Sequence, residues 1–293
     1  MEKLIEKAGI LIEALPYIKN FYGKTFVIKY GGAAQTEASL KDSFAQDIVL
    51  LNYIGINTVI VHGGGPRISE TMKKMGKVPN FIHGHRVTDG ETIDIVEMVL
   101  GGLVNKEIIT LINRHGGKAV GLTGKDGGLI GADKKVIRQI SPDTGLDEII
   151  DLGHVGQIKR VNPEVIVNLK QNGFIPVVAP VGVSDDGQTL NINADDMASS
   201  LASAVKAEKL ILLTDVPGIL DQEGKIISSV RKEEVEKFIQ DGTISGGMIP
   251  KIRACVEAAR NAVKKIHIVD GRISHCLLLE IFTQQGIGTE IVD

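Results

Sequence analysis

Two strand-to-glycine turns and a handful of cations carry the chemistry available to this chain. Phe26-Val27-Ile28-Lys29-Tyr30-Gly31-Gly32 and Val59-Ile60-Val61-His62-Gly63-Gly64-Gly65-Pro66-Arg67 each run from β-branched residues into glycines, and the second then enters helix-compatible sequence. Glycine lets backbone N–H groups approach a ligand without a Cβ in the way, so such turns can wrap an oxyanion and aim a helix N-terminus at it. Lys29 ends the first strand, and Lys251 follows Gly246-Gly247-Met248 at the start of a helical segment, where the dipole adds to its charge. Spacing alone fits Lys251 better to a solvated helix lysine. Asn191-Ile192-Asn193-Ala194-Asp195 places three polar side chains at a loop-to-helix junction, where N-capping explains one such residue more easily than three. With Gly64, Gly65 and Arg86, this set points to phosphate chemistry.

These residues converge only if strands deliver them to one edge. Apolar spacing at Leu4, Ile5, Ala8, Leu11, Ile12 and Leu15 predicts an amphipathic helix ending near Pro16. Strands are predicted over 25–30, 58–61, 119–122, 175–179, 209–214 and 265–269, with short ones near 136–140 and 148–158. Helices are predicted over 39–52, 68–75, 92–113, 163–171, 194–205, 232–240 and 248–263. Helices alternating with apolar strands define an α/β protein, a three-layer αβα sandwich with an open, mainly parallel central sheet. Ligands of such sheets sit beyond the carboxyl ends of the strands, where nearly all of the polar set falls. No Pro/Ser-rich linker or solenoid repeat interrupts the pattern, so one domain of two lobes sharing a sheet is expected.

The bulk properties narrow the classes. A net charge of −3, with 4% aromatic residues and no basic block, argues against nucleic acid as the main ligand. The longest apolar runs are too short to span a bilayer, and the charged N-terminus lacks a signal-peptide core, so a cytoplasmic location is expected. Cys255 and Cys276 stand singly and read as packed thiols. Gly23-Lys24-Thr25 fails as a Walker A loop because Ile18 stands where a glycine is required. Gly286-Ile287-Gly288 lacks the third glycine of a dinucleotide fingerprint. His83-Gly84-His85 has no accompanying ligand pattern and reads as a loop, so no protein metal site is expected.

On these residues the chain resembles the amino acid kinase family over essentially its whole length. The resemblance rests on Lys29-Tyr30-Gly31-Gly32, Val61 to Arg67, Gly84-His85-Arg86-Val87-Thr88, Asn191 to Asp195, Leu213-Thr214-Asp215-Val216-Pro217-Gly218-Ile219, and Gly246-Gly247-Met248-Ile249-Pro250-Lys251. The Gly84–Thr88 and Asn191–Asp195 segments point to a member acting on N-acetyl-L-glutamate. The resemblance implies transfer of the ATP γ-phosphoryl group to that substrate's side-chain carboxylate. A carboxylate is already ionised and needs no general base, so charge neutralisation and in-line positioning must carry the catalysis. It implies that Lys29 and Lys251 flank the migrating group, that Asp195 holds both lysines, and that Gly31, Gly32 and Gly64 supply backbone donors. Arg86 would grip the α-carboxylate with its planar fork, and Gly64, Gly65, Asn191 and Asn193 would complete the acceptor pocket. Asp215, Val216, Pro217, Gly218, Ile219 and Leu220, with Thr243, Ile244, Ser245 and Gly247, would contact the nucleotide. Mg²⁺ would bridge its phosphates rather than sit in a protein cage. The alternatives are another amino acid kinase, for carbamate or aspartate, or a catalytically silent arginine-sensing module.

The resemblance further implies an arginine-inhibited homohexamer, a trimer of dimers. Residues 1–20 would be the oligomerisation helix, 21–180 the lobe for acetylglutamate binding and dimerisation, and 181–293 the lobe for ATP and arginine. Tyr17, Lys209, His275, Glu280, Gly286 and Gly288 match the arginine site. Whether a nitrogen-signalling PII protein binds is left open. The competing expectation is that the helix packs on its own subunit and the tail completes the sheet.

Overall fold

Six consecutive buried positions make Thr25–Tyr30 a strand covered on both faces, as a parallel sheet requires. The computed structural model describes residues 1–140, 147–261 and 263–292. In chain order it runs α1 (Glu2–Phe21), β1 (Thr25–Tyr30), α2 (Ala38–Tyr53), β2 (Asn57–His62), α3 (Gly65–Lys74), β3 (Phe81–Ile82), β4 (His85–Arg86), α4 (Gly90–Glu97), α5 (Asn105–Arg114), β5 (Ala119–Thr123), β6 (Ile130–Ile140) and β7 (Asp147–Val161). There follow α6 (Glu164–Gln171), β8 (Ile175–Ala179), β9 (Val181–Val183), β10 (Thr189–Asn191), α7 (Ala194–Ala204), β11 (Lys209–Thr214), β12 (Ser229–Arg231), α8 (Val235–Gln240), α9 (Met248–Arg260), β13 (Lys265–Asp270), α10 (Cys276–Phe282) and β14 (Thr289–Val292).

The central sheet has eight strands in the order β12-β14-β13-β11-β1-β2-β8-β5. It is parallel except where β14 runs against β13. β1 lies in register between β11 and β2, pairing Lys29 with Leu212 on one side and Val61 on the other. The turns after all three strands therefore open on one edge. Side chains alternate across a strand, and Phe26, Ile28 and Tyr30 join the core on the side of Phe44, Ile48 and Ile108. Val27 joins the opposite core with Met197 of α7 and Ile252 of α9. Lys29, two residues after Val27, is thereby directed to the face that carries Asp195 and Lys251.

The expected αβα sandwich is present, with additions. The segments predicted as short strands are the arms of a long β6/β7 hairpin, which closes with β9 and β10 into a small barrel. The tail contributes α10 and β14, which pairs with β12 and β13. Pro16 does not end α1, which continues to Phe21 with the proline inside it. The predicted helix over 92–113 is one continuous helical run, Gly90–Arg114, whose middle segment, Met98–Val104, is π-helical and contains Gly101 and Gly102. The helix predicted to Val263 stops at Arg260, and Ala262 lies outside the described residues. Both cysteines are buried free thiols. Among the described residues no helix is long and apolar enough to cross a membrane.

Candidate active site

Three side chains from three elements meet at the sheet edge. The Lys29 ammonium lies 3.0 Å from Asp195 Oδ1, and Lys251 Nζ donates to Asp195 Oδ2 at 2.7 Å. Asp195 sits in the first turn of α7, whose N-terminus favours negative charge. Burial pushes its carboxyl up, but Lys29 and Lys251 outweigh that and hold it below the usual carboxylate range. For Lys29 burial prevails: it pulls the ammonium below the ordinary lysine value despite attraction to Asp195. One carboxylate thus spaces two cations, and both cations can face a phosphoryl group.

The glycine turns explain themselves sterically. Gly32 has φ of 67°, and a Cβ there would lie 2.1 Å from Asp215 Oδ1. A Cβ at Gly31 would meet Lys29 Nζ at 2.8 Å. Gly64 is the N-cap of α3, and Gly65 begins the helix ahead of Pro66, leaving N–H groups at the helix start.

Beside this edge is a cavity of about 200 Å³ between Gly63–Gly65, Arg86, Leu100, Val155 and Asn191. Arg86 is buried and held by neutral acceptors: Nη2 donates to Gly65 O at 3.0 Å and Ser69 Oγ at 2.8 Å. Its guanidinium stacks 4.6 Å from the Phe81 ring centroid. Among the described residues no carboxylate pairs with it, and burial without an anion disfavours its charge. Asn191 Nδ2 donates to Thr88 Oγ1 at 3.3 Å. Asn193 lines the same cavity, but its Oδ1 caps α7 by accepting from Asp195 and Asp196 N–H. A larger cavity of about 500 Å³ shares Gly63–Gly65 and extends past Lys29 and Gly31 to Phe44 and Ile108.

The nucleotide candidates divide. Asp215, Val216, Pro217, Gly218 and Leu220 follow β11 at the same edge, and Thr243, Ser245 and Gly247 precede α9. The side chains of Ile219 and Ile244 are core, and the Ile219 N–H is already taken by Thr289 Oγ1. The Ile219 carbonyl accepts from the Ile227 N–H and the Ile244 N–H donates to Phe238 O, so these two positions support the loops rather than face a ligand.

Four of the candidate arginine residues, Lys209, Glu280, Gly286 and Gly288, form a second cluster. Lys209 Nζ lies 3.1 Å from His267 Nε2, and His267 Nδ1 lies 2.5 Å from Glu280 Oε1. An ammonium only donates, so His267 accepts at Nε2 and donates from Nδ1 to Glu280. Glu280 Oε2 accepts from Ile287 and Gly288 N–H, and a Cβ at Gly286 would press on it at 2.9 Å. A Cβ at Gly288 would meet Ile268 O at 2.1 Å. Tyr17 packs edge-on against Phe282 of α10. His275 stands apart from the carboxylate, bonded to Asp47 at 2.6 Å ahead of α10. His267, Asp47 and Ser69 lie outside recognisable local patterns, and Thr88, the last residue of the Gly84–Thr88 segment, carries no local signal of its contact with Asn191. Among the described residues no cluster of three or more His, Cys, Asp or Glu could hold a metal ion.

A parallel sheet whose edge gathers glycine turns, two lysines and a bridging aspartate defines a small-molecule phosphotransferase scaffold. The chain belongs to the amino acid kinase family, whose model matches residues 24–270. Its relatives narrow the class. An acetylglutamate kinase from Geotalea uraniireducens is 58% identical over 292 residues, covering 100% of both chains. Another acetylglutamate kinase, from Sulfurihydrogenibium sp., is 56% identical over 298 residues, covering 99% of each. Among solved structures, N-acetylglutamate synthase from Neisseria gonorrhoeae, complexed with coenzyme A and N-acetyl-glutamate, superposes with a TM-score of 0.82 at 25% identity, covering 98% of this chain and 63% of that longer one.

Proposed function

We infer that the chain is an acetylglutamate kinase of arginine biosynthesis, transferring the γ-phosphoryl group of ATP to the side-chain carboxylate of N-acetyl-L-glutamate. The observation that carries this reading is the Lys29–Asp195–Lys251 bridge beside a cavity holding a buried arginine without an anionic partner. The relatives named acetylglutamate kinase, aligned over the full length, supply the acceptor.

The chemistry follows from charge. Donor and acceptor are both anions, so the barrier is dominated by bringing them together and by charge spreading over the transferring group. Lys29 and Lys251 neutralise that charge from two sides, while Asp195 keeps the ammonium groups apart and oriented. Both Asp195 oxygens face ammonium groups, so Asp195 is not offered as a metal ligand; Mg²⁺, if it arrives with the nucleotide, would supply further charge neutralisation. Arg86 binds the α-carboxylate, Asn191 orients the substrate, and the Gly64 and Gly65 N–H groups face the reacting carboxylate. The residues after β11 and before α9 hold the nucleotide. We place the enzyme in the cytoplasm.

Regulation by arginine in a hexamer is part of the same reading. Leu4, Ile5, Ile10, Leu11, Ile12 and Leu15 of α1 are more than half exposed, the signature of a helix that pairs with another copy. We assign arginine to the cluster of Lys209, Glu280, Gly286 and Gly288, where the Glu280 carboxylate would share a guanidinium with the His267, Ile287 and Gly288 donors it already accepts from. The product distinguishes the reaction: an acyl phosphate is trapped by hydroxylamine as a hydroxamate. Hydroxamate formed only with ATP and acetylglutamate supports the reading, and ADP release without hydroxamate contradicts it.

A further inference from the structure

His62 closes β2 and has no solvent exposure, yet both ring nitrogens are engaged. Nδ1 lies 2.9 Å from the Gly63 carbonyl oxygen, and Nε2 lies 3.1 Å from Asn105 Nδ2. Asn105 is itself buried at the start of α5. Its Nδ2 also donates to Val177 O at 2.9 Å, while Lys106 Nζ donates to its Oδ1 at 3.3 Å. An amide nitrogen only donates, so His62 Nε2 must accept. The single ring proton therefore sits on Nδ1 and is donated to the Gly63 carbonyl. Burial and the nearby Lys106 charge oppose a second proton and push the imidazole down to about 4.

The consequence lies one peptide further on. The Gly63 carbonyl and the Gly64 N–H belong to one trans peptide, in which they point in opposite directions. Fixing the carbonyl fixes the N–H. Gln35 Nε2 approaches the same carbonyl at 3.4 Å, and the Gly63 N–H donates to Tyr30 O at 2.9 Å, tying this turn to the end of β1. Among the described residues no protein acceptor meets the Gly64 N–H, and Gly64 lines both cavities.

We propose that Asn105 and His62 form a positioning relay: Asn105 selects the His62 tautomer, His62 anchors the Gly63 carbonyl, and the Gly64 N–H is thereby aimed at the carboxylate that accepts the phosphoryl group. The relay rests on the kinase reading for its target but not for its tautomer. A donor aligned before the reaction stabilises developing charge without reorganisation, which is why an indirect anchor affects turnover.

The test combines a spectrum with kinetics. Long-range ¹H–¹⁵N correlation on the histidine-labelled enzyme should show His62 neutral and protonated at Nδ1 at neutral pH. A proton on Nε2, or an imidazolium, overturns the relay. His62→Leu should lower kcat with acetylglutamate by about 10- to 100-fold, with KM for ATP within about twofold. His62→Gln, which can still donate to Gly63, should recover most of the loss. Asn105→Leu should mix the two tautomers and reduce kcat less. Parental kcat in folded His62→Leu overturns the relay. If that variant does not fold, an unchanged tautomer and kcat in Asn105→Leu overturn it instead. A parent enzyme inactive on acetylglutamate would contradict the functional reading, while the spectrum still decides the tautomer.

Discussion

Lys251 and Asp195 form a 2.7 Å ion pair across the starts of α9 and α7, with the aspartate buried and the lysine about a quarter exposed. The second Asp195 oxygen faces Lys29 from β1. A single carboxylate therefore sets the distance between two cations from opposite ends of the chain. Lys251→Arg keeps the charge but changes the reach and fork, and is expected to lower kcat by ~100-fold while KM for ATP moves by much less. Steady-state kinetics check this, and unchanged kcat would remove Lys251 from the transition state.

Lys29 must be protonated to neutralise the transferring group, and burial lowers its pKa. Raising pH through that lowered value removes the charge, so the alkaline limb of the kcat/KM profile, which reports the free enzyme, should fall below the ordinary lysine range. Asp195→Asn removes the attraction that opposes the shift. The residual activity of that variant should fail at still lower pH, and a limb shifted upward would contradict the assignment.

Arg86 sits among neutral acceptors in the smaller cavity. Arg86→Lys loses the planar fork and should raise KM for acetylglutamate by about 10- to 100-fold, the worth of a charge-assisted hydrogen bond or two. KM for ATP should stay near the parental value. Equal changes in both constants would speak for a structural role.

Asp47 gives a stability prediction with a definite sign. Its carboxyl is pushed up to about 6, chiefly by burial, against the opposing hydrogen bond from His275 and the Leu277 and Leu278 N–H groups. Between the unfolded value of about 4 and the folded one, the native state binds more protons, so this group's contribution to stability falls as pH rises. Asp47→Asn does not titrate. The Tm of the variant relative to the parent should therefore climb between those pH values, and a decline would contradict the burial cause.

The apolar stripe of α1 predicts assembly. Leu11→Glu with Leu15→Glu places charges on exposed positions and should cost the monomer fold little. Light scattering should show the parent as a hexamer and the variant as a smaller oligomer. The same mass for both would exclude α1 from the interface.

Legibility in the sequence tracked burial. β1, β8 and β11 match their predicted limits because each is an apolar run covered on both faces and bounded by turns. β9, β10, β12 and β14 span three or four residues, too few for periodicity to register; β12 and β14 pair with strands distant in sequence, and the local β9/β10 hairpin completes its barrel only with the distant β6 and β7. α1 outran Pro16 although proline removes one helical N–H; the carbonyl left without that donor belongs to the exposed Ile12, where water can reach it. At the site, glycine turns and strand-end lysines were readable because their chemistry is local. The bridging geometry of Asp195, and the engagement of His62 by Asn105, arise from packing of separate elements and leave no local pattern. His83 and Gly84 form the left-handed turn of the β3/β4 hairpin, whereas His85 begins β4 and pairs with Ile82, so only the first of the two histidines lies in a loop.

The most direct test of the central claim is coupled ADP release with acetylglutamate, glutamate, aspartate and carbamate in parallel, each with and without arginine. Turnover is expected with acetylglutamate alone, suppressed by arginine. Preference for another acceptor would keep the fold and the lysine bridge but contradict the assigned reaction.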